Sequence, residues 1–363
     1  MTLSAIREIT QRNLKPLVNQ IDREGLYPTE VLRHLARKGA MSAHLEAPFG
    51  DKRYEASIRA IAAVSQICGT TGFLMWCHAV CGLYLERAPH SALHHDLLRE
   101  HVSGERLGGT ALSNPMKSFA KIEQFLLKAT PVPGGYRVSG SLPWVSHLGP
   151  GHYCGAIAAV QPHTEDREIM FLLRTDSPGV TLTECPSFSG MEGTGTFGLT
   201  LDSVLVTEQD LIADPARPLI QNIRAAFVLL QCGMGLGVTQ GAIDSMREVE
   251  AGLGHVNQFL DDQPAELQSE LDRLWLRIAD LAENPFQTEK EYWIDVLDAR
   301  AHCAELCLRA AQSALLHQGA RGYLMRSDVQ RRVRESHFVA IVTPAIKHLR
   351  SEIHRLSAVA LPA

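Results

Sequence analysis

Residues 69–85 read GTTGFLMWCHAVCGLYL, and this stretch contains no Asp, Glu, Lys or Arg. A helix that is apolar all round presents no face to water, so it must be buried in a large protein or in a membrane. The chain has no apolar run of about 18 residues or more, the length that a spanning helix needs. We therefore predict a helix buried on all sides in a protein without a membrane partner.

The chain has 363 residues, enough for two or three structural units around such a helix. Residues 1–104 form the first unit, in which apolar side chains recur at three- and four-residue steps. The pattern predicts helices over 3–24 and 31–38, with Asp51 as the N-cap of the next helix. We interpret residues 1–104 as an N-terminal helical domain.

Residues 105–215 have a different pattern, in which short β-branched runs alternate with glycine- and proline-containing turns. Such runs are typical of strands joined by turns, so we predict a middle antiparallel β-domain. From 216 to 363 the helical period returns in four long blocks, 219–250, 265–282, 288–318 and 327–356. Long helices with short connections favour a C-terminal four-helix bundle, and the fold class is α+β.

The net charge is −5 with neutral histidines, so no basic excess points to nucleic acid. The N-terminus lacks the apolar core of a secretory signal, which favours a cytoplasmic location. Eight cysteines are scattered without paired Cys-x-x-Cys motifs. We interpret them as buried free thiols and expect no metal site.

The segment GGYRVSGSLPWVSHL, residues 134–148, and the order of the three units resemble the acyl-CoA dehydrogenase superfamily of flavoproteins. In that family the tryptophan of the motif flanks the flavin ring, and the following Ser or Thr hydroxyl contacts its N5/O4 edge. The resemblance assigns these roles to Trp144 and Ser146. A flat ring needs an aromatic wall and its polar edge needs a donor. Without the resemblance, a tryptophan at a sheet–helix interface with a turn serine explains the motif equally well.

Three more segments are similar to family patterns. Residues 190–206 (GMEGTGTFGLTLDSVLV) match a glycine-rich turn leading into a strand, although Glu192 stands where a basic residue is usual. Residues 109–118 occupy the place of a loop that runs past the flavin, which implies backbone contacts from Leu112 or Ser113. Residues 317–336 resemble the glycine-rich turn between the last two long helices. That likeness makes cofactor-binding candidates of Gln318, Gly319, Gly322 and Tyr323. A helix–helix turn requiring a left-handed residue is the alternative for this last segment.

One expected residue is missing. Dehydrogenation of a thioester needs a carboxylate that removes the α-proton while a hydride leaves the β-carbon, and this base is worth about 10²–10⁴ in rate. Counting from Arg334, the family's glutamate position is held by Thr343. The alternative family site falls within residues 225–240, which contain no acid. Pro344 should break the helix at Thr343, because proline lacks an N–H and clashes with the preceding turn.

A branch of the superfamily, the two-component monooxygenases, also lacks the glutamate and uses reduced flavin with oxygen. Pro344 and Lys347 resemble its last helix, and His78 stands where the branch often carries a histidine that faces the flavin. A neutral imidazole or a hydroxyl can donate a hydrogen bond at the reactive edge of the flavin. The candidate catalytic residues are therefore His78, Ser146 and Thr343. A core histidine bonded to a carbonyl is the alternative for His78.

The cofactor implied by the resemblance is FAD. Residues 254–263 lack the arginine that meets its pyrophosphate in many family members, so FMN is the alternative. Arg224 and Arg321 are replacement cations by residue type only.

Three functions stay open: an oxygen-using enzyme for a small apolar or aromatic substrate with a separate flavin reductase, an acyl-thioester dehydrogenase with another base, and a scaffold without flavin. Family members assemble through the bundle, so we expect a homodimer or homotetramer.

Overall fold

The computed structural model describes residues 2–162 and 167–358. Its helical first part contains six α-helices: α1 (Leu3–Ile9), α2 (Val18–Arg23), α3 (Thr29–Arg37), α4 (Tyr54–Ser65), α5 (Gly69–Arg87) and α6 (His95–Ser103). Between α1 and α2 the chain stays helical through a π turn (Thr10–Leu14) and a 3-10 turn (Lys15–Leu17). Pro16 has no N–H to donate, so the regular α-helical ladder predicted over 3–24 is interrupted there.

The apolar run is confirmed as a buried helix. Every residue of α5 from Gly69 to Leu85 is buried, against α4 and the long helix described below. The predicted cap of α4 is wrong, because Arg53 occupies the N-cap position without a side-chain capping bond. Asp51 instead pairs with Arg53, with 2.6 Å between Oδ2 and Nη2.

A single mixed sheet forms the middle of the chain. Among the described residues it has eight strands: β1 (Gly108–Thr110), β2 (Leu127–Val132), β3 (Gly135–Val145), β4 (Tyr153–Val160), β5 (Glu168–Arg174), β6 (Val180–Glu184), β7 (Phe197–Thr207) and β8 (Leu211–Ala213). The order is β6-β7-β3-β2-β4-β5-β8, with β1 also beside β4. The sheet differs from the antiparallel prediction at two places, because β1 and β2 both pair with β4 in parallel.

The C-terminal part contains α8 (Arg217–Arg247), α9 (Glu250–Asn257), α10 (Pro264–Glu283), α11 (Lys290–Gln318), α12 (Asp328–Ile341) and α13 (Ile346–Ala358), and a short α7 (Ser113–Phe119) follows β1. The predicted fold class is confirmed, with helices on either side of the sheet in sequence. The helix break at Thr343 is also confirmed, since α12 ends at Ile341 and α13 begins at Ile346. Only α8, within the described residues, has the length and composition to cross a membrane, and 94% of its most apolar window is buried in the fold.

The first and last parts of the chain are joined by buried polar contacts. Glu335 on α12 accepts a hydrogen bond from the Gly69 N–H at the start of α5, at 2.9 Å. Arg331 lies 3.3 Å from the same carboxylate, and both side chains are buried. Arg334 forms a two-pronged ion pair with Asp22 of α2. These contacts hold α12 against α2 and α5, next to the helix break.

Candidate functional site

Trp144 and Ser146 lie at the end of β3, where the strand leaves its pairing with β7. The Trp144 side chain is 64% exposed, the Ser146 hydroxyl lies 2.7 Å from that of Thr196, and Thr196 lies 2.7 Å from the Thr194 hydroxyl. His147, the next residue, has a left-handed backbone with φ of 66°. This turn sets an uncovered indole beside a row of three hydroxyl groups.

The break between α12 and α13 brings Thr343 to Ser113. The two hydroxyl oxygens are 2.8 Å apart, and either atom can be the donor. Ser113 is the first residue of α7 and is exposed, while Leu112 before it is buried. Leu112 can therefore offer a ligand only its backbone. The structure thus brings two predicted site residues from distant segments into direct contact.

Gln231 and Arg300 lie behind this pair, and sequence reasoning missed both. The Arg300 Nε donates to Gln231 Oε1 at 2.6 Å, and Gln231 Nε2 donates to the Thr343 carbonyl oxygen at 3.0 Å. Because a guanidinium can only donate, the Gln231 oxygen must face Arg300 and its NH₂ must face Thr343. A directed chain of hydrogen bonds therefore runs from α11 through α8 to the helix break.

Arg300 is a buried cation whose hydrogen-bond acceptors, among the described residues, are all neutral. Its Nη2 donates to the Val339 carbonyl oxygen at 2.7 Å, and its Nη1 is buried without a partner. Burial lowers the pKa of Arg300 from its ordinary value. A buried charge normally needs a partner of opposite sign. An arginine in an alanine-rich helix looks like a surface residue in the sequence, which offers no signal for this role.

His78 is fully buried and both of its ring nitrogens have backbone partners. Nε2 donates to the His101 carbonyl oxygen at 2.9 Å, so Nδ1 is the acceptor and takes the Gly108 N–H at 3.3 Å. Burial lowers the pKa of His78 to about 3, which keeps the ring neutral. These contacts tie α5 to α6 and to β1, and they match those of a core histidine.

His147 is a further buried histidine that the sequence analysis did not single out. Its Nδ1 is 2.7 Å from the Tyr27 hydroxyl, and its Nε2 is buried without a partner. Its ring stands edge-on to that of His78, with centroids 5.9 Å apart. Burial lowers the pKa of His147 well below its usual value. Its position directly after Ser146 was the signal that could have indicated it.

Four aromatic rings pack between α5, α8 and α12. Phe73 and Trp76 stack with centroids 5.7 Å apart, Phe338 lies edge-on to Phe73, and Phe227 lies edge-on to Trp76. The Trp76 Nε1 donates to the Phe227 carbonyl oxygen at 3.3 Å. Phe227 precedes Gln231 by one helical turn on α8, so the aromatic cluster adjoins the Gln231–Thr343 contact.

The cofactor-binding candidates in the turn after α11 lie away from Thr343 within one chain. Gln318 ends α11 and donates to the Ser245 carbonyl oxygen at 2.8 Å, Gly319 has φ of 61°, Gly322 is buried and Tyr323 is 75% exposed. Ser245 and Gln231 both belong to α8, and their separation in sequence corresponds to about 21 Å along the helix. No small ligand can contact both this turn and Thr343 within one chain.

No group of three or more metal-ligating side chains is present in the part of the chain that the structure describes. A cleft of about 630 Å³ lies between α4 and α10 and is lined by Tyr54, Arg59 and Leu276 among others, but by none of the predicted site residues. Of the two replacement cations, Arg224 lies over the Trp293 ring at 4.6 Å and Arg321 is exposed. The candidate site therefore comprises Trp144, Ser146, Ser113 and Thr343.

These residues fit a flavin ring. The exposed Trp144 indole is a flat apolar surface, and the hydroxyl groups of Ser146, Ser113 and Thr343 are neutral hydrogen-bonding groups for a polar ring edge. Gly109 lets β1 lie close to the Ser146 backbone, since a Cβ at this position would lie 3.1 Å from the Ser146 carbonyl oxygen.

Comparisons with known proteins agree on one family. Residues 1–105 match the family described as acyl-CoA dehydrogenase, N-terminal domain. A probable acyl-CoA dehydrogenase, YngJ, of Bacillus subtilis is 21% identical over 361 residues, covering 94% of this chain and 93% of that protein.

Solved structures with this fold include dehydrogenases and a monooxygenase. The butyryl-CoA dehydrogenase of Megasphaera elsdenii has a TM-score of 0.85 at 16% identity, covering 98% of this chain and 97% of that one. The dibenzothiophene monooxygenase TdsC of Paenibacillus sp. A11-2 has a TM-score of 0.82 at 16% identity, covering 99% and 98%. Likeness at this identity establishes the fold alone.

Proposed function

Because the chain belongs to the acyl-CoA dehydrogenase superfamily, we propose that it is a flavin-dependent oxidoreductase of the oxygen-using type. The observation that carries the proposal is the Ser113–Thr343–Gln231–Arg300 chain. Among the described residues, no carboxylate hydrogen-bonds to any of these four side chains. A dehydrogenase needs a carboxylate base at the corner of the site where Thr343 meets Ser113.

The corner instead favours negative charge. Arg300 polarises the Gln231 amide, whose NH₂ points toward Thr343, and hydrogen bonds inside a protein strengthen one another in such chains. A positive potential would lower the basicity of any nearby acid and stabilise an anion at the Thr343–Ser113 edge. Reduced flavin, when bound, supplies two electrons for the reduction of oxygen, a step in which negative charge develops.

Five of the predicted residues have a role in this proposal. Trp144 would cover the flavin ring, and the Ser146 hydroxyl, which donates its proton to Thr196, would accept a hydrogen bond from the ring edge. Thr343 and Ser113 share one hydrogen bond, so one hydroxyl proton remains free to point at substrate or oxygen. His78 acts as a positioning residue, because it accepts the Gly108 N–H and so fixes β1 next to Gly109.

The substrate we propose is compact. Phe73, Trp76 and Phe227 are each at most 5% exposed and fill the space beside Gln231. A long acyl chain would have to displace these packed rings, whereas a small aromatic or apolar molecule would not. The aromatic wall also excludes water from the corner, which strengthens the hydrogen bonds there.

We propose FAD as the cofactor, with FMN as the alternative, and a separate flavin reductase as a partner of the enzyme. Titration of the protein with FAD and with FMN under identical conditions distinguishes the two. The turn at Gln318–Tyr323 contacts α8 at Ser245, about 21 Å along the helix from Gln231, and is available to a distal part of a dinucleotide or to another copy of the chain.

The proposal is tested by mixing protein and chemically reduced flavin with oxygen, and measuring oxygen uptake and hydrogen peroxide release. An oxygen-using enzyme is expected to slow peroxide release relative to free flavin and to couple oxygen uptake to product when a substrate is found. Peroxide release at the free-flavin rate with every substrate in a broad aromatic panel would reject the proposal.

The second candidate is a thioester dehydrogenase with an unrecognised base, which the names of the curated relatives favour. In that case acyl-CoA substrates bleach the oxidised flavin in the absence of oxygen. A colourless protein that binds neither flavin would support the third function, a scaffold.

A further inference from the structure

The row of three hydroxyl groups beside Trp144 ends on a main-chain carbonyl group. The Thr194 Oγ1 lies 2.7 Å from the Met191 carbonyl oxygen, and because a carbonyl oxygen only accepts, the Thr194 hydroxyl is the donor. A hydroxyl group has a single proton, so Thr194 has to accept from Thr196, and Thr196 has to accept from Ser146. The Met191 carbonyl group therefore fixes the direction of every hydrogen bond in the hydroxyl row of Ser146, Thr196 and Thr194.

The hydroxyl row leaves Ser146 with a lone pair and no proton to give to a ligand. Its side chain is half-buried and its proton is directed to Thr196, so toward a ligand Ser146 acts only as an acceptor. The pair of Ser113 and Thr343 differs, because it shares one hydrogen bond and keeps one free proton. The candidate site thus combines an obligate acceptor on the sheet with a free donor at the helix break.

The backbone around the hydroxyl row holds its direction. The His147 N–H donates to the Thr194 carbonyl oxygen at 2.9 Å. The Leu148 N–H donates to the Gly195 carbonyl oxygen at 3.0 Å, and a Cβ added to Gly195 would lie 2.7 Å from the Leu148 carbonyl oxygen. Thr194 is 2% exposed, which keeps water from competing for its hydroxyl proton. The Thr194 end of the row is therefore fixed, and rotation of the Ser146 hydroxyl alone cannot reverse it.

An obligate acceptor distinguishes the two redox states of a flavin. When bound, reduced flavin presents an N–H group at N5, whereas oxidised flavin presents only a lone pair there. The Ser146 oxygen would accept from the N–H group of the reduced form. It would face the lone pair of the oxidised form, which leaves two acceptors opposite each other. An unsatisfied polar group in a site that excludes water costs enough to change affinity about tenfold or more.

We propose that the hydroxyl row selects the reduced form of the flavin. The inference rests on the proposed function, which places Ser146 at the polar edge of the ring. Ser146 touches the ring, and Thr196 and Thr194 are positioning residues, because they act through the direction of the Ser146 hydroxyl. A site of this kind retains flavin that arrives reduced and releases it more readily once oxidised, so that the flavin returns to the separate reductase.

The test compares the affinity of the full-length protein for oxidised FAD and for chemically reduced FAD, by calorimetric titration in the absence of oxygen. FMN is titrated in the same way. We expect the reduced form to bind at least about tenfold more tightly. For this two-electron couple, each tenfold preference raises the midpoint potential of the bound flavin by about 30 mV above that of free flavin. Equal affinities overturn the inference while the proposed function stands, whereas binding of neither flavin rejects both.

Arg300 is a separate source of preference, since a positive charge favours a flavin that carries negative charge after reduction. T194V separates the two sources, because it removes the acceptor at the end of the hydroxyl row and leaves Arg300 in place. The Thr196 proton can then turn to Ser146 and Ser146 can donate, so the preference for reduced FAD should fall about tenfold. T194S restores the hydroxyl group and should restore the preference. An unchanged preference in folded T194V would overturn the inference.

A matched control lies on the same two strands. The hydroxyl oxygens of Ser141 on β3 and Thr200 on β7 are 3.0 Å apart, and both side chains are exposed. T200V therefore removes a hydroxyl group from a comparable pair outside the site and should bind both forms of FAD like the wild type. If T194V does not fold, S146A provides the second test, since loss of the acceptor should lower the preference to the same extent. A wild-type preference in S146A would count equally against the hydroxyl row.

Discussion

His78 and His101 stack face to face with ring centroids 3.5 Å apart, and each donates its Nε2 proton to the backbone carbonyl oxygen of the other. His101 Nδ1 also lies 2.5 Å from the Tyr153 hydroxyl. Both rings are fully buried, and burial lowers both pKa values, so the pair is built for neutral imidazoles.

We predict that the folded protein loses stability in acid, because its buried histidines are held neutral. The pKa of His78 is about 3 and that of His44 about 4, both below the unfolded value of about 6.5. The unfolded state therefore binds more protons below about pH 6.5, and stability is lost as the pH falls. At about pH 5, His78 alone should cost about 2 kcal/mol. Denaturant unfolding between pH 7.5 and 5 measures the loss, which H78N should reduce and the exposed-site variant H354N should not. A flat profile would mean that the buried rings titrate normally.

Gln231 is expected to be essential for stability. Q231L removes an acceptor from the buried Arg300 and should lower the free energy of unfolding by about 2–3 kcal/mol. Q231E provides a counter-charge and should recover most of this loss. Q240L, on the same helix but partly exposed, is the control and should cost less than about 1 kcal/mol. Denaturant titration compares the three, and equal losses would mean that Arg300 is satisfied in another way.

T343E should impair oxygen-using activity at least about tenfold, because its carboxylate would repel the negative charge that develops beside Thr343 during the reduction of oxygen. T343S keeps the hydroxyl that meets Ser113 and should retain activity. Product formed per reduced flavin is the measurement, with a thermal melt to confirm folding. Unchanged activity in T343E would show that Thr343 does not face the reaction.

Trp144 should matter for flavin and little for folding. W144A removes an exposed indole, so stability should stay within about 0.5 kcal/mol while the flavin Kd rises about tenfold. W144F should lose less affinity because an aromatic face remains. L276A, at a remote side chain that is 73% exposed, is the control. Flavin titration by fluorescence gives the affinities, and an unchanged Kd in W144A would place the ring elsewhere.

Trp76 is expected to limit ligand size. W76A should cost about 3–5 kcal/mol through the cavity it leaves, and should admit bulkier aromatic ligands or longer acyl chains. W293A removes another buried tryptophan and should cost comparable stability without changing ligand size preference. Binding of a graded ligand series, followed by flavin absorbance, separates the two effects. A W76A protein with wild-type preference would move the substrate away from the aromatic cluster.

The periodicity of apolar residues predicted the order of the three parts. The burial of α5 and the break at Pro344 were also predictable, because both follow from local side-chain chemistry. It missed the parallel pairing of β1 and β2 with β4, since strand direction depends on distant connections. The resemblance predicted Ser113 and Thr343 separately, and only the fold shows that their hydroxyls touch. Gln231 and Arg300 were missed because hydrogen-bond partners on different helices leave no pattern in the sequence.

The contact between the Gly69 N–H and Glu335 has a kinetic consequence. Its partners are 266 residues apart in the sequence, and the buried carboxylate has to reach the start of α5 before that helix end is satisfied. Contacts of such long range close late because ordering the intervening chain costs entropy. The helix at the heart of the fold therefore reaches its final state only when the last part of the chain has docked. We expect fragments ending before α12 to stay aggregation-prone, with the apolar α5 incompletely covered.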